Sequence, residues 1–150
     1  MRHLIGAAAF GLCLCLGVAS LSSCPVVADG LPVYTYEVLA IFPHDPDAYT
    51  QGLVFANGVI YESTGRYGHS SLRSVELETG TVTQLRPLSG GLFAEGLTLY
   101  GEKLIQLTWK ANTGFVYDVD SMDLLAQFNY PTEGWGITHD GTRLIMSDGT

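Results

Sequence analysis

The stretch Glu95-Gly96-Leu97-Thr98-Leu99-Tyr100-Gly101-Glu102-Lys103-Leu104-Ile105-Gln106-Leu107 holds two short apolar runs on either side of a turn centred on Gly101-Glu102. Runs this short, bounded by turn residues, predict a β-hairpin. The same grammar lies upstream, where Leu53-Val54-Phe55 and Val59-Ile60-Tyr61 flank Asn57-Gly58, and downstream, where Ile137-Thr138 and Leu144-Ile145-Met146 flank Asp140-Gly141. Asn-Gly between apolar runs is among the strongest local hairpin signals.

Each hairpin opens on a short signature: Gln51-Gly52-Leu53, Glu95-Gly96-Leu97 and Trp135-Gly136-Ile137. Gly52 lies 44 residues before Gly96 and Gly136 lies 40 after it, and two further strands fit each interval: Ser71–Leu77 and Thr81–Leu85, then Gly114–Val119 and Leu124–Phe128. Four strands repeating at roughly 40–45 residues describe propeller blades, whose sheets cover one another's faces. The class is all-β, with two blades and the start of a third; a β-sandwich built from the same strands is the alternative. The repeated glycine would start the innermost strand of each blade, so Gln51, Glu95 and Trp135 would converge on one mouth of the central channel. A closed ring takes about four to eight blades, so the chain is expected to be part of a longer propeller. Tyr34, Tyr36 and Val38 alternate with Thr35 and Glu37, and Tyr34–Phe42 is expected to be the outer strand that completes the last blade.

Residues 1–28 stand apart. A polar start at Arg2-His3 and an apolar Leu4–Val18 predict a secretion signal, too short for a stable membrane span of about 20 apolar residues. Leu21-Ser22-Ser23-Cys24 resembles a lipobox, making Cys24 a candidate lipidation site and mature N-terminus; cleavage after Ala28 competes with it. The expected location is the periplasm or cell envelope, with any membrane attachment through lipid on Cys24. Cys13 and Cys15 leave with the leader, so the mature chain keeps at most Cys24, which removes intramolecular disulfides and cysteine-bound metal. A net charge of −8 with only seven dispersed Lys and Arg excludes nucleic acid as a natural partner.

Among candidate chemical groups, Glu95 precedes a repeat glycine between Phe93 and Leu97. At a channel mouth it would be partly desolvated, a setting in which a carboxylate binds an amine and relays its proton; a strand-end or surface-paired carboxylate is the plainer reading. Tyr49, Phe93, Trp109 and Trp135 supply aromatic walls for a pocket, or ordinary core packing. His44, His69 and His139 have no metal-ligand spacing and read as loop residues. Asp118, Asp120 and Asp123 lack the glycine and distal acid of a calcium loop, so a solvated turn is expected. Phosphate-loop and serine-hydrolase motifs are absent from the sequence.

Read together, Tyr49-Thr50-Gln51-Gly52-Leu53, Tyr61-Glu62-Ser63-Thr64-Gly65, Phe93-Ala94-Glu95-Gly96-Leu97, Leu107-Thr108-Trp109-Lys110, Glu133-Gly134-Trp135-Gly136, Thr138-His139-Asp140-Gly141 and Leu144-Ile145-Met146-Ser147-Asp148-Gly149 closely resemble the plant-type glutaminyl-peptide cyclotransferases. The resemblance covers nearly all of residues 34–150. It implies a five-bladed propeller, unrelated to the zinc-dependent animal-type cyclases, that needs no metal or other cofactor and turns an N-terminal glutamine into pyroglutamate with release of ammonia. It further implies that Glu95 is the acid/base and that Gln51 hydrogen-bonds the reacting carboxamide. Phe93, Trp109 and Trp135 line the pocket, with Tyr49 where the family often has Phe. The family's Asn and Lys from later blades have no counterpart before Thr150, so half of the active site is expected here; Lys110 and Asn112 match a different family position and are expected to be surface or loop residues. The implied partner is a peptide beginning with Gln, acted on by a monomer. An inactive, envelope-associated propeller serving as a binding or scaffold module is the rival reading.

Overall fold

Asn57 and Gly58, at φ of 53° and 83°, form the tight turn that Asn-Gly favours, and Thr50–Ala56 (β1) folds back on Val59–Thr64 (β2) around it. In the computed structural model, which describes residues 34–150, β2 then pairs with Ser71–Glu76 (β3), and β3 with Val82–Pro87 (β4). The pattern recurs in Ala94–Tyr100 (β5), Lys103–Thr108 (β6), Thr113–Asp118 (β7) and Leu124–Asn129 (β8), another antiparallel sheet in chain order, and begins again with Ile137–His139 (β9) and Leu144–Met146 (β10). The fold is therefore an all-β propeller in which two four-stranded blades and the first hairpin of another are present. Val38–Thr150 forms one compact unit. The leader, including Cys24, lies outside the described residues.

The first and second sheets stack on a shared core. Leu72 and Leu104 are fully buried there with Tyr61, Leu97, Phe115, Tyr117 and Met122 around them. Gln106, also fully buried, crosses between the sheets: its amide donates to Ser63 Oγ at 2.8 Å and to the Ser71 carbonyl at 3.2 Å, and its oxygen accepts from Tyr117 Oη at 3.2 Å. A buried amide with each polar end satisfied specifies one stacking of the sheets.

The repeat glycines mark where neighbouring blades touch. β1 packs against β5 and β5 against β9. A Cβ on Gly52 would lie 2.5 Å from the Leu97 nitrogen, and one on Gly96 would lie 2.5 Å from the Trp135 oxygen. Only a residue without a side chain lets these backbones approach so closely.

Tyr34–Phe42 is unpaired here, with Tyr34, Tyr36, Leu39 and Ile41 largely exposed; a strand exists only where a partner ladder receives its amides, and the last blade it is expected to complete is not among the described residues. One expectation fails: His139 ends β9 instead of sitting in a loop, its Nδ1 accepting the Gly141 amide at 3.1 Å.

Candidate active site

Gln51, Glu95 and Trp135 all occupy the same irregularity, within β1, within β5 and just before β9. Between Thr50 and Gly52 the β1–β2 register advances two residues on β1 for one on β2, and between Ala94 and Leu97 it advances three on β5 for two on β6. In the third copy Trp135 and Gly136 share one partner: the Trp135 amide donates to the Ser147 carbonyl at 3.0 Å, and the Ser147 amide donates to the Gly136 carbonyl at 2.9 Å. Such bulges bend the strand and re-aim a side chain. At Gly96 the amide freed from its own ladder donates to the Trp135 carbonyl of the next blade at 2.7 Å, so the bulge also fastens one blade to the next.

The re-aimed side chains meet. Tyr49, Gln51, Phe93, Glu95, Trp109 and Trp135 line one open cavity of about 470 Å³. These are the six residues singled out in the sequence, brought together from three consecutive repeats. Phe93 organises the aromatic wall, standing edge to face with Tyr49 at 6.2 Å, Tyr67 at 5.4 Å and Trp109 at 5.7 Å between ring centroids. Edge-to-face contacts of this kind fix ring planes as well as burying area. A Cβ on Gly65 would collide with the Phe93 ring, so that glycine makes room for the wall.

Glu95 is the half-buried carboxylate of the cavity. No donor among the described residues reaches it, and burial alone pushes its pKa from 4.5 up to about 7. The charged form loses hydration without gaining a partner. A carboxylate so poised gives and takes protons near neutrality and favours a cationic guest.

Four residues around the cavity make contacts that were not legible as such in the sequence. Glu133 Oε2 accepts from Trp109 Nε1 at 2.6 Å and from Trp135 Nε1 at 3.0 Å, and these two donors hold its carboxyl below the usual carboxylate range, with Lys110 adding to them. The Lys110 ammonium lies 4.0 Å from the centre of the Trp109 ring, and Arg66 covers Tyr49 at 4.9 Å. Tyr67 backs Phe93. Glu133 adjoins Trp135 in the sequence, but nothing in its spacing ties it to Trp109. Lys110 and Asn112 stay outside the cavity lining, Asn112 donating through Nδ2 to the Thr132 carbonyl. Asp118 behaves as a turn carboxylate, its Oδ1 accepting the amides of Asp120 and Ser121 at 3.1 and 2.9 Å.

Residues 11–150 match the family described as glutamine cyclotransferase. Over 116 residues the chain is 51% identical to an Arabidopsis thaliana protein named glutaminyl-peptide cyclotransferase, covering 76% of this chain and 36% of that one. The crystal structure of a Myxococcus xanthus glutaminyl cyclase superposes with a TM-score of 0.65 at 38% identity, covering 72% of this chain and 45% of the other. The chain thus spans between about a third and a half of the length of these relatives.

Proposed function

The chain belongs to the glutamine cyclotransferase family, and from that premise we propose that it carries the proton-transfer half of a glutaminyl-peptide cyclotransferase acting on peptides with N-terminal Gln. The observation that carries this reading is Glu95: a carboxylate raised to about 7 by burial, without a bound donor, lining the same cavity as Gln51 among aromatic rings.

In the reaction the peptide's α-amine attacks the γ-carboxamide carbon of its own side chain. A C–N bond forms, the carbonyl π electrons move onto oxygen, and the attacking nitrogen becomes cationic. Glu95 accepts a proton from that nitrogen and delivers it to the departing amide nitrogen; the C–N bond to ammonia breaks and the lactam carbonyl reforms. One carboxylate serves both transfers because the proton leaves and returns on the same side of the intermediate. A peptide α-amine has a pKa of about 7.7–8.0, so a base near 7 is matched to it. Gln51 orients the carboxamide, and Tyr49, Phe93, Trp109 and Trp135 confine a flexible side chain to the folded shape that closure requires. Oxyanion donors are expected from the part of the relatives' length that this chain does not span.

The longer protein would close a ring of five blades and act as an exported monomer without a metal or cofactor. It would be released from Asp29 onward, with the propeller domain starting near residue 34, after loss of the 1–28 leader, or held at the envelope by lipid on Cys24. No observation favours the inactive scaffold reading. The deciding experiment is ammonia release from a Gln-initiated peptide by the full-length protein and its Glu95→Gln variant. Turnover by the parent and loss in the variant is expected; turnover unchanged by the substitution, or absent from folded parent, would overturn the proposal.

A further inference from the structure

We propose that Glu133 is a positioning residue that locks both tryptophan walls of the cavity through one carboxylate oxygen. The inference rests on the cyclase reading for its catalytic consequence but not for its geometry. Trp109 follows β6 in the second blade and Trp135 precedes β9 in the next, and they are the only two tryptophans in the sequence. An indole N–H is a donor with no acceptor capacity, so its ring orientation is fixed by whatever receives it. Here a single oxygen, Glu133 Oε2, receives both, at 2.6 and 3.0 Å.

The other carboxylate oxygen faces Lys110 Nζ at 3.8 Å, and the same ammonium sits over the Trp109 ring. Trp109 is therefore held at its edge by Glu133, on its face by Lys110, and against Phe93 at 5.7 Å. Its backbone is tied as well, accepting the Gly134 amide at 2.9 Å. Trp135 has fewer restraints and is 48% exposed; a Cβ on Gly149 would lie 2.7 Å from its ring, so it packs closely there. For Trp135 the Glu133 bond is the one polar restraint on the side chain. Glu133 does not line the cavity, so it acts on a substrate only through the two indoles.

The charge of the acceptor strengthens both bonds. An amide oxygen in its place also has two lone pairs and can receive both indoles, but without the charge, and its NH2 then opposes Lys110 across the position of Oε1. Glu133→Gln keeps the size and loses the charge and the Lys110 pairing, and Glu133→Asp keeps the charge on a stem too short to span both rings.

The test reads the tryptophans directly. In Glu133→Gln and Glu133→Asp, tryptophan emission and acrylamide quenching are measured in the parent and in Trp109→Phe and Trp135→Phe backgrounds, so that the difference between backgrounds reports each indole. Both indoles are expected to become more accessible to quencher, Trp135 more than Trp109, with the fold retained by circular dichroism. In the full-length enzyme, kcat/KM for a Gln-peptide is expected to fall about tenfold, mainly through KM, the scale of one lost charge-assisted hydrogen bond. The pH midpoint set by Glu95 stays in place. Unchanged quenching of both indoles would overturn the proposal even in an active enzyme. A Glu133→Gln effect that moves the pH midpoint would also overturn it by making Glu133 a proton-transfer group. Absent turnover in the parent would refute the cyclase reading alone, since the quenching result still decides the geometry.

Discussion

Glu95→Gln should make the folded chain more stable above neutrality while removing its proposed activity. In the fold the Glu95 carboxyl binds its proton with a pKa of about 7, against 4.5 ordinarily, because burial penalises the anion. Below pH 4.5 both folded and unfolded chains carry that proton and no penalty exists. Between 4.5 and 7 the folded chain holds more proton than the unfolded one, so stability falls as pH rises, and above 7 the full penalty is present. At about 1.4 kcal/mol per tenfold change in proton affinity, the gap sets a ceiling of about 3 kcal/mol, and the water that enters an open cavity brings the expected penalty to about 2 kcal/mol. Gln cannot ionise and escapes it. Urea unfolding of the parent and variant at pH 4, 6 and 8 should show no difference at the lowest pH and a widening advantage for the variant, about 2 kcal/mol at the highest. The depressed carboxyls Asp45, Asp118, Glu133, Asp140 and Asp148 titrate alike in both proteins and cancel. A difference independent of pH, or a variant less stable at pH 8, would refute the account of Glu95 as a desolvated, unpartnered carboxylate. A proposed catalytic group that costs stability fits the familiar trade between activity and robustness.

Three other outcomes follow from the geometry. Gly96→Ala puts a methyl 2.5 Å from the Trp135 oxygen and 2.8 Å from the Ile137 nitrogen, and backbone on the facing blade cannot move aside; a loss of about 3 kcal/mol is expected in urea unfolding, at the upper end for overpacking. Gly91→Ala, where a Cβ meets nothing within 4 Å, is the control, and equal stability of the two variants would sink the close-approach argument. Gln106→Leu leaves the hydroxyls of Ser63 and Tyr117 without their buried partner and should cost about 3 kcal/mol in the same assay, whereas an unperturbed midpoint would show the amide to be dispensable. In the full-length enzyme kcat/KM should climb through about pH 7 as Glu95 ionises, with the substrate amine adding a limb at about 7.7–8.0; a profile flat from pH 6 to 8 would deny Glu95 the base role.

The strands were legible because each is written in short-range terms. Asn57-Gly58 announces a left-handed turn and the structure supplies φ of 53° and 83°, while Leu104–Leu107 reads as a strand and lies inside β6. The gathering of Gln51, Glu95 and Trp135 was legible because a repeat places equivalent positions around one axis. Two things were not. Glu133 joins residues 24 and 2 positions away through a bond that has no periodic signature. The bulges too were hidden: a surplus residue between Ala94 and Leu97 is a relation between two strands, visible only once β6 lies opposite β5.

Those surplus residues give the molecule an economy of invention. Each copy of the repeat ends its approach to the axis on one free letter, followed by a glycine that the architecture will not release, and the letters here are an amide, an acid and an indole. Exchanging a letter rewrites what the rim can do to a guest while every strand, turn and inter-blade contact behind it keeps its place, so new reactivity can be composed at the mouth of such a ring without renegotiating the wheel that turns it inward.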